Sequence, residues 1–211
     1  MFDLNAEVLC SGLFSDVMDR MGYKKQIITG MKRNRPQISF LGRARTIEII
    51  AENTDDENIR MGLSFLGTVG KDEILIVNGS DKFAYFGELM TKLSSRNHIE
   101  GVIINGLTRD TNYTHREDVL LPVLAKGYSP VDIKGRGRVE AVDVEIEIDG
   151  VKICPGDLVY ADNEAVCIVP KQIETEVAEK IREKLEDEIK ITELIESGIS
   201  VEELLEKVTE F

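Results

Sequence analysis

The chain has 211 residues, 42% hydrophobic and 31% charged, enough to bury a core in one domain or in one domain with an appendage. Its 26 Lys/Arg against 39 Asp/Glu give a net charge of −13, and a surface of that sign repels the phosphates of DNA and RNA. No apolar run approaches the roughly 18 residues of a membrane span. The start, MFDLNAEVLC, lacks the basic residues and apolar stretch of a secretory signal. The expectation is a cytoplasmic protein with neither membrane nor nucleic acid as partner.

Residues 6–22 carry apolar side chains at helical spacing and stop at Gly22. Ala44–Ile50 reads as a strand, 57–69 as a helix, and Glu73–Val77 (EILIV) as a buried strand before the turn NGSD. Leu89–Asn97 reads as a helix, Gly101–Asn105 (GVIIN) as a second buried strand, and Pro122–Ala125 as a further short one. Apolar and polar residues then alternate over Val142–Ile148 and turn at Asp149-Gly150, which predicts a hairpin with one wet face. Residues 157–170 supply two more strands, so the body is a mixed, layered α/β domain.

After Pro170 the pattern is helical. Ile173, Val177, Ile181, Leu185 and Ile189 recur every four residues, and Ser200-Val-Glu-Glu203 is a capping box opening a last short helix. Residues 171–211 hold 13 Asp/Glu against 6 Lys/Arg, about half of the acidic excess. The expected organisation is an α/β domain over 1–170 and an acidic helical extension over 171–211.

The three cysteines, Cys10, Cys154 and Cys167, are odd in number and widely spaced. They suggest buried free thiols in a reducing compartment, not a disulfide framework or a zinc ribbon. His98 and His115 are the only histidines and make no metal cluster.

Three features could carry chemistry. Phe86-Gly87-Glu88-Leu89 opens a helix after a turn, where free N–H groups can hold a carboxylate or phosphate; a plain helix start with Glu88 on the dipole reads the same way. Gly106-Leu-Thr-Arg109-Asp110 follows a buried strand, where α/β folds place functional groups. Arg109 offers a fork for a carboxylate and Asp110 a hard oxygen for Mg²⁺, although a surface ion pair has the same letters. On the last long helix Glu188 projects into the apolar stripe, so it needs a partner, a metal or a route to water. Gly135-Arg-Gly-Arg138 could bind an anion or be a flexible loop.

In SDVMDRMG at 15–22, GRARTIEII at 42–50, GELMTKLSSRNHIEGVIINGLTRD at 87–110, LPVLAKGYSPVDIKGRGRV at 121–139 and VKICPGDLVYADNEAVCIVP at 151–170, the chain resembles one family. That family contains the 4-hydroxy-4-methyl-2-oxoglutarate aldolases and the regulator of ribonuclease activity A. The aldolase branch shows an acidic residue, twenty residues, then Arg-Asp; Glu88, the span 89–108 and Arg109-Asp110 fit, with Glu88 in place of the usual Asp. Ala165 stands where the family commonly has Gly.

The resemblance implies a layered mixed-sheet fold of the swivelling phosphohistidine-domain type with a C-terminal helical extension, assembled as a trimer or hexamer with sites between subunits. It implies a lyase that cleaves a 4-hydroxy-2-oxo acid to pyruvate, with oxaloacetate decarboxylation as a second reaction through the same enolate. Arg109, Asp110 and Glu88 would be catalytic, and Gly87, Glu88, Leu89, Met90 and Arg109 would hold the substrate. The cofactor would be Mg²⁺ or Mn²⁺ on Asp110, with Glu188 or Glu186 reaching it from a neighbouring subunit. The alternatives are a regulator that binds a ribonuclease, and a lyase for another sugar-derived oxo acid.

Overall fold

The computed structural model describes residues 8–52 and 57–208. Helix α1 (Ser11–Arg20) precedes two short strands, β1 (Ile27–Thr29) and β2 (Lys32–Arg33), and the long β3 (Phe40–Ile50). Next come α2 (Glu57–Leu66), β4 (Glu73–Asn78), β5 (Ala84–Phe86), α3 (Glu88–Arg96), β6 (Gly101–Thr108), the single turn α4 (Thr111–Thr114) and β7 (Val123–Tyr128). The second half holds β8 (Arg138–Val142), β9 (Ile146–Ile148), β10 (Val151–Ile153), β11 (Leu158–Ala161) and β12 (Ala165–Val169). A 3₁₀ turn at Lys171–Ile173 leads into α5 (Glu174–Glu196) and α6 (Val201–Lys207).

The main sheet runs β1-β12-β11-β3-β4-β6-β7-β2, with β5 added on β6 and β8 on β3. Its centre, β3-β4-β6-β7, is parallel and its flanks are antiparallel. The unbroken apolar runs in β4 and β6 follow from burial on both faces. Leu75, Val77, Val102 and Ile104 face the cluster closed by Phe65 and Leu66 of α2, while Ile74, Ile76 and Ile103 face the opposite one. That second cluster is closed by the β9-β10 hairpin, whose Ile146, Ile148, Val151 and Ile153 point inward and whose Glu147 and Lys152 stay in water. Its turn is Asp149-Gly150 as expected, both at positive φ (52° and 81°), the geometry a two-residue hairpin demands.

A third cluster packs α1 and α5 against β11 and β12, with Phe14, Met18, Tyr160, Val177 and Ile181 at its centre. Arg43 on β3 fastens the start of α5 by two bonds of 2.6 Å to Glu174. The capping box at Ser200 and Glu203 is formed in both directions.

Some expectations need correction. The first helix is shorter, Ser11–Arg20, and residues 6–7 of its expected span lie outside the described residues. Strand β3 begins four residues earlier than expected because one edge carries two partners, β11 at its start and β8 at its end. The short β1, β2 and β5 have too few residues to show a period. Cys167 is buried, but Cys10 and Cys154 are exposed. No helix among the described residues is long and apolar enough to cross a membrane.

Candidate active site

Strands β5 and β6 run parallel and finish side by side, Phe86 opposite Thr108. The Phe86 carbonyl accepts from Thr108 Oγ1 at 2.7 Å and from the Arg109 N–H at 2.9 Å, tying the two strand ends together. Residues 22 apart in sequence thus meet at the C-terminal edge of a parallel sheet, where open α/β sheets bind ligands.

Helix α3 starts at this junction. Gly87, its N-cap, is extended and has no side chain to cap the helix. Asp110 supplies the cap from the neighbouring loop: the Glu88 N–H donates to Asp110 Oδ2 at 2.9 Å. Asp110 reaches it because its own backbone is left-handed (φ 59°, ψ 43°), a region that Asp tolerates better than most residues and that clusters at functional sites. A Cβ at position 87 would lie 2.4 Å from Asp110 Oδ2 and 2.9 Å from Arg109 Cγ, so this approach requires glycine. Arg109 Nη1 lies 3.1 Å from Asp132 Oδ2, and its Nε lies 3.7 Å from Asp110 Oδ2.

These groups open on a cavity of about 690 Å³, a volume suited to a small molecule. Glu88, Arg109, Asp110, Tyr113, Arg116 and Tyr128 are among its lining residues. On one wall the Tyr113 ring has Lys92 Nζ 4.7 Å and Arg116 Cζ 5.6 Å from its centroid. Each cation has its own carboxylate, Glu88 for Lys92 and Asp118 for Arg116, and these hydrogen bonds hold both cations above their ordinary pKa values. His115 lies at the rim with Nε2 3.3 Å from the Tyr128 hydroxyl. Burial raises the Tyr128 pKa, so its hydroxyl keeps its proton at neutral pH.

A family model described as RraA-like, Aldolase/RraA, matches residues 13–168. The chain belongs to the RraA-like family. It is 26% identical over 199 residues to Protein DlpA of Legionella pneumophila, a match that covers 93% of this chain but only 32% of that protein. It is 31% identical over 150 residues, 70% of this chain and 89% of the relative, to an Alcanivorax borkumensis protein with the provisional name 4-hydroxy-4-methyl-2-oxoglutarate aldolase. The fold is shared with Streptomyces coelicolor RraAS2, described as an unusual member of the RNase ES inhibitor RraA family, at a TM-score of 0.76 and 21% identity over 88% of this chain and 95% of that one.

Of the residues singled out in the sequence, Gly87, Glu88, Arg109 and Asp110 come together in this RraA-like chain. Leu89 is 79% exposed and Met90 packs on the core, so both present only backbone N–H groups to the helix start. Glu186 and Glu188 are exposed on α5, apart from the cavity wall. The expected apolar stripe is covered as far as Leu185, whereas Ile189 is 59% exposed, so the stripe is open before Glu188, although Leu204 of α6 is buried further on. The Gly135–Arg138 segment spends its guanidinium groups internally: Arg136 on the carbonyls of Asp132 and Lys134, Arg138 on Glu52 and Glu140. Ala165, the other departure from the family pattern, opens β12, and its N–H donates to Asp162 Oδ1.

No group of three or more His, Cys, Asp or Glu among the described residues could by itself hold a metal ion. A single cavity-lining carboxylate, Asp110, still fits Mg²⁺ or Mn²⁺, because Mg²⁺ keeps most of its water and takes one or two carboxylates plus substrate oxygens. Sequence reasoning missed Tyr113, Arg116, Tyr128 and Asp132. Tyr128 ends a strand and Tyr113 lies three residues past Asp110, and both positions were available as signals. Asp132 has no local signal, since only the folding of its loop onto β5 brings it to Arg109.

Proposed function

We propose that this chain is a divalent-cation-dependent lyase that cleaves a 4-hydroxy-2-oxo acid, such as 4-hydroxy-4-methyl-2-oxoglutarate, to release pyruvate, and that it also decarboxylates oxaloacetate. The observation that carries this reading is the meeting of Arg109, Asp110 and the Gly87 helix start at the mouth of one cavity. Both reactions leave an electron pair beside a 2-oxo group, and the resulting charge needs a sink. Lys92, beside the Tyr113 wall, is paired with Glu88 and kept protonated by that hydrogen bond, so it is unsuited to form a Schiff base. Arg109 has the planar fork that holds a carboxylate and faces the charge growing on the adjacent oxygen. Asp110, fixed by the Glu88 N–H, would hold Mg²⁺ or Mn²⁺, and the cation when bound would supply Lewis acidity toward the 2-oxo oxygen. The N–H groups of Leu89 and Met90 would orient the bound acid. Glu88, held by Lys92, lies on the cavity wall and would serve proton transfer to the departing half.

Glu188 or Glu186 would complete the site of an adjacent copy in a homotrimer or hexamer. Their exposure, next to the exposed Ile189 on the same helix, supports that placement. Pyruvate release from 4-hydroxy-4-methyl-2-oxoglutarate and from oxaloacetate, followed with Mg²⁺, Mn²⁺ or excess chelator, tests the reading. Activity should vanish in chelator and return with either metal. Full activity in chelator, or a borohydride-trapped adduct, overturns the cation-dependent mechanism. Absence of pyruvate from every oxo acid tried would leave a binding protein as the better description.

A further inference from the structure

Arg109 would hold the substrate through a long flexible side chain, and something must set its direction. Its neighbours form a closed ring. The Ala84 N–H donates to the Val131 carbonyl at 2.7 Å, and the Ile133 N–H donates to the Ala84 carbonyl at 3.2 Å, so the segment carrying Asp132 is bonded on both sides to β5. Strand β5 leads to Gly87, Gly87 sits against Asp110 and Arg109, and Arg109 Nη1 returns to Asp132 Oδ2 at 3.1 Å. Arg136 stiffens the far side of the ring, donating to the Asp132 and Lys134 carbonyls at 3.2 Å each. Asp132 is therefore held in place by the same strand that places the helix start.

We infer that Asp132 is the positioning residue of the Arg109 clamp, holding the guanidinium over the cavity until an incoming carboxylate takes its place. The inference rests on the lyase reading for the identity of that carboxylate. Charge and bonding select which resident acid gives way. Arg109 carries one positive charge between two carboxylates, so a third anion competes with them for it. Asp110 Oδ2 is committed to the Glu88 N–H at 2.9 Å. Among the described residues Asp132 Oδ1 accepts a hydrogen bond from the Lys134 N–H alone, at 3.5 Å, and its side chain is 41% exposed, so water solvates it as soon as it is released. Fixing Arg109 beforehand spares the bound state the loss of its rotamer freedom, and the cost is competition from Asp132.

The test uses Asp132→Asn, which keeps an acceptor oxygen without the charge, and Asp132→Ala, which removes both. Calorimetric titration of pyruvate with Mg²⁺ at fixed concentration should show Kd falling about threefold or more in both variants, because the competing anion is gone. The KM for the oxo-acid substrate should fall in step with Kd, since the same competing anion is gone. A residue that merely holds its loop would not tighten binding, and a Kd that is unchanged or higher in both variants overturns the inference. Modification of Arg109 by phenylglyoxal, mapped by mass spectrometry, reads the pairing without any substrate. It should be several-fold faster in both variants than in the parent chain, and equal rates would overturn the inference too. A parent chain that binds no pyruvate but shows the expected rate difference sinks the lyase reading and leaves the Arg109–Asp132 pairing standing.

Discussion

A methyl group at position 87 would sit 2.4 Å from Asp110 Oδ2 and 2.9 Å from Arg109 Cγ, closer than real Cβ contacts allow. Gly87 is extended (φ −154°, ψ −158°), so any residue could adopt its backbone, and the constraint is one of space alone. Gly87→Ala should therefore fold but push Asp110 off the Glu88 N–H and tilt Arg109. We expect kcat/KM for pyruvate release to drop at least about tenfold, equivalent to ~1.4 kcal/mol of transition-state stabilisation. The midpoint of thermal unfolding should shift by only a few degrees, consistent with a loss of about 1 kcal/mol at a helix cap. A variant with parental kinetics would show that Asp110 can stand elsewhere without loss. The sequence singled out both partners of this contact, Gly87 and Asp110, but had no means of showing that one caps the helix begun by the other.

Among the elements, α5 depends on its first turn. Arg43 on β3 donates two bonds of 2.6 Å to Glu174, whose side chain is only 13% exposed. The Arg43 guanidinium thereby holds the Glu174 carboxyl below its ordinary pKa, against the opposing effect of burial. A carboxylate with a depressed pKa in the folded chain stabilises the fold above its unfolded value, near 4.3, and loses that contribution as pH falls through the folded value. Glu174→Gln should lower stability at pH 7 by about 1–2 kcal/mol, toward the low end for a hydrogen bond to a charged partner because Arg43 is partly screened by solvent. The gap from the parent chain in urea-melt midpoints should close as the pH is taken below 4. A gap that persists undiminished at pH 3 would assign the loss to packing. The partner of Glu174 lies 131 residues away on β3 and is fixed by the sheet, so no local pattern shows it.

At the scale of the whole molecule, the C-terminal region does two separable things. Its first half covers a core: Val177 and Ile181 are fully buried with Phe14, Met18 and Tyr160. Its second half leaves part of its surface open, with Glu186, Glu188 and Ile189 exposed, while Leu204 is buried. Truncation after Pro170 should uncover the α1 face and destabilise the chain by several kcal/mol, on the scale of two or more large-to-small core changes. Glu188→Ala should leave the unfolding midpoint unchanged and lower pyruvate release if α5 serves a neighbouring copy. Co-assembly of an Arg109→Ala chain with a Glu188→Ala chain should then restore part of the activity, since some sites would carry neither lesion. A fully active Glu188→Ala chain would reduce α5 to a structural cover.

What could be read in advance was whatever depends on near neighbours: the apolar period of α5, the apolar runs of β4 and β6, the Asp149-Gly150 turn, the capping box at Ser200, and the Arg109-Asp110 pair after a buried strand. These features are legible because helix, turn and buried-strand preferences act over a few residues. The tertiary structure alone decided that β5 stands beside β6, that Asp132 returns to Arg109, that the guanidinium of Arg136 serves its own loop, and that the α5 stripe is covered only to Leu185. Each of these is a contact between segments brought together by the sheet. A hydrogen bond or an ion pair acts over about 3 Å in space and leaves no period along the chain.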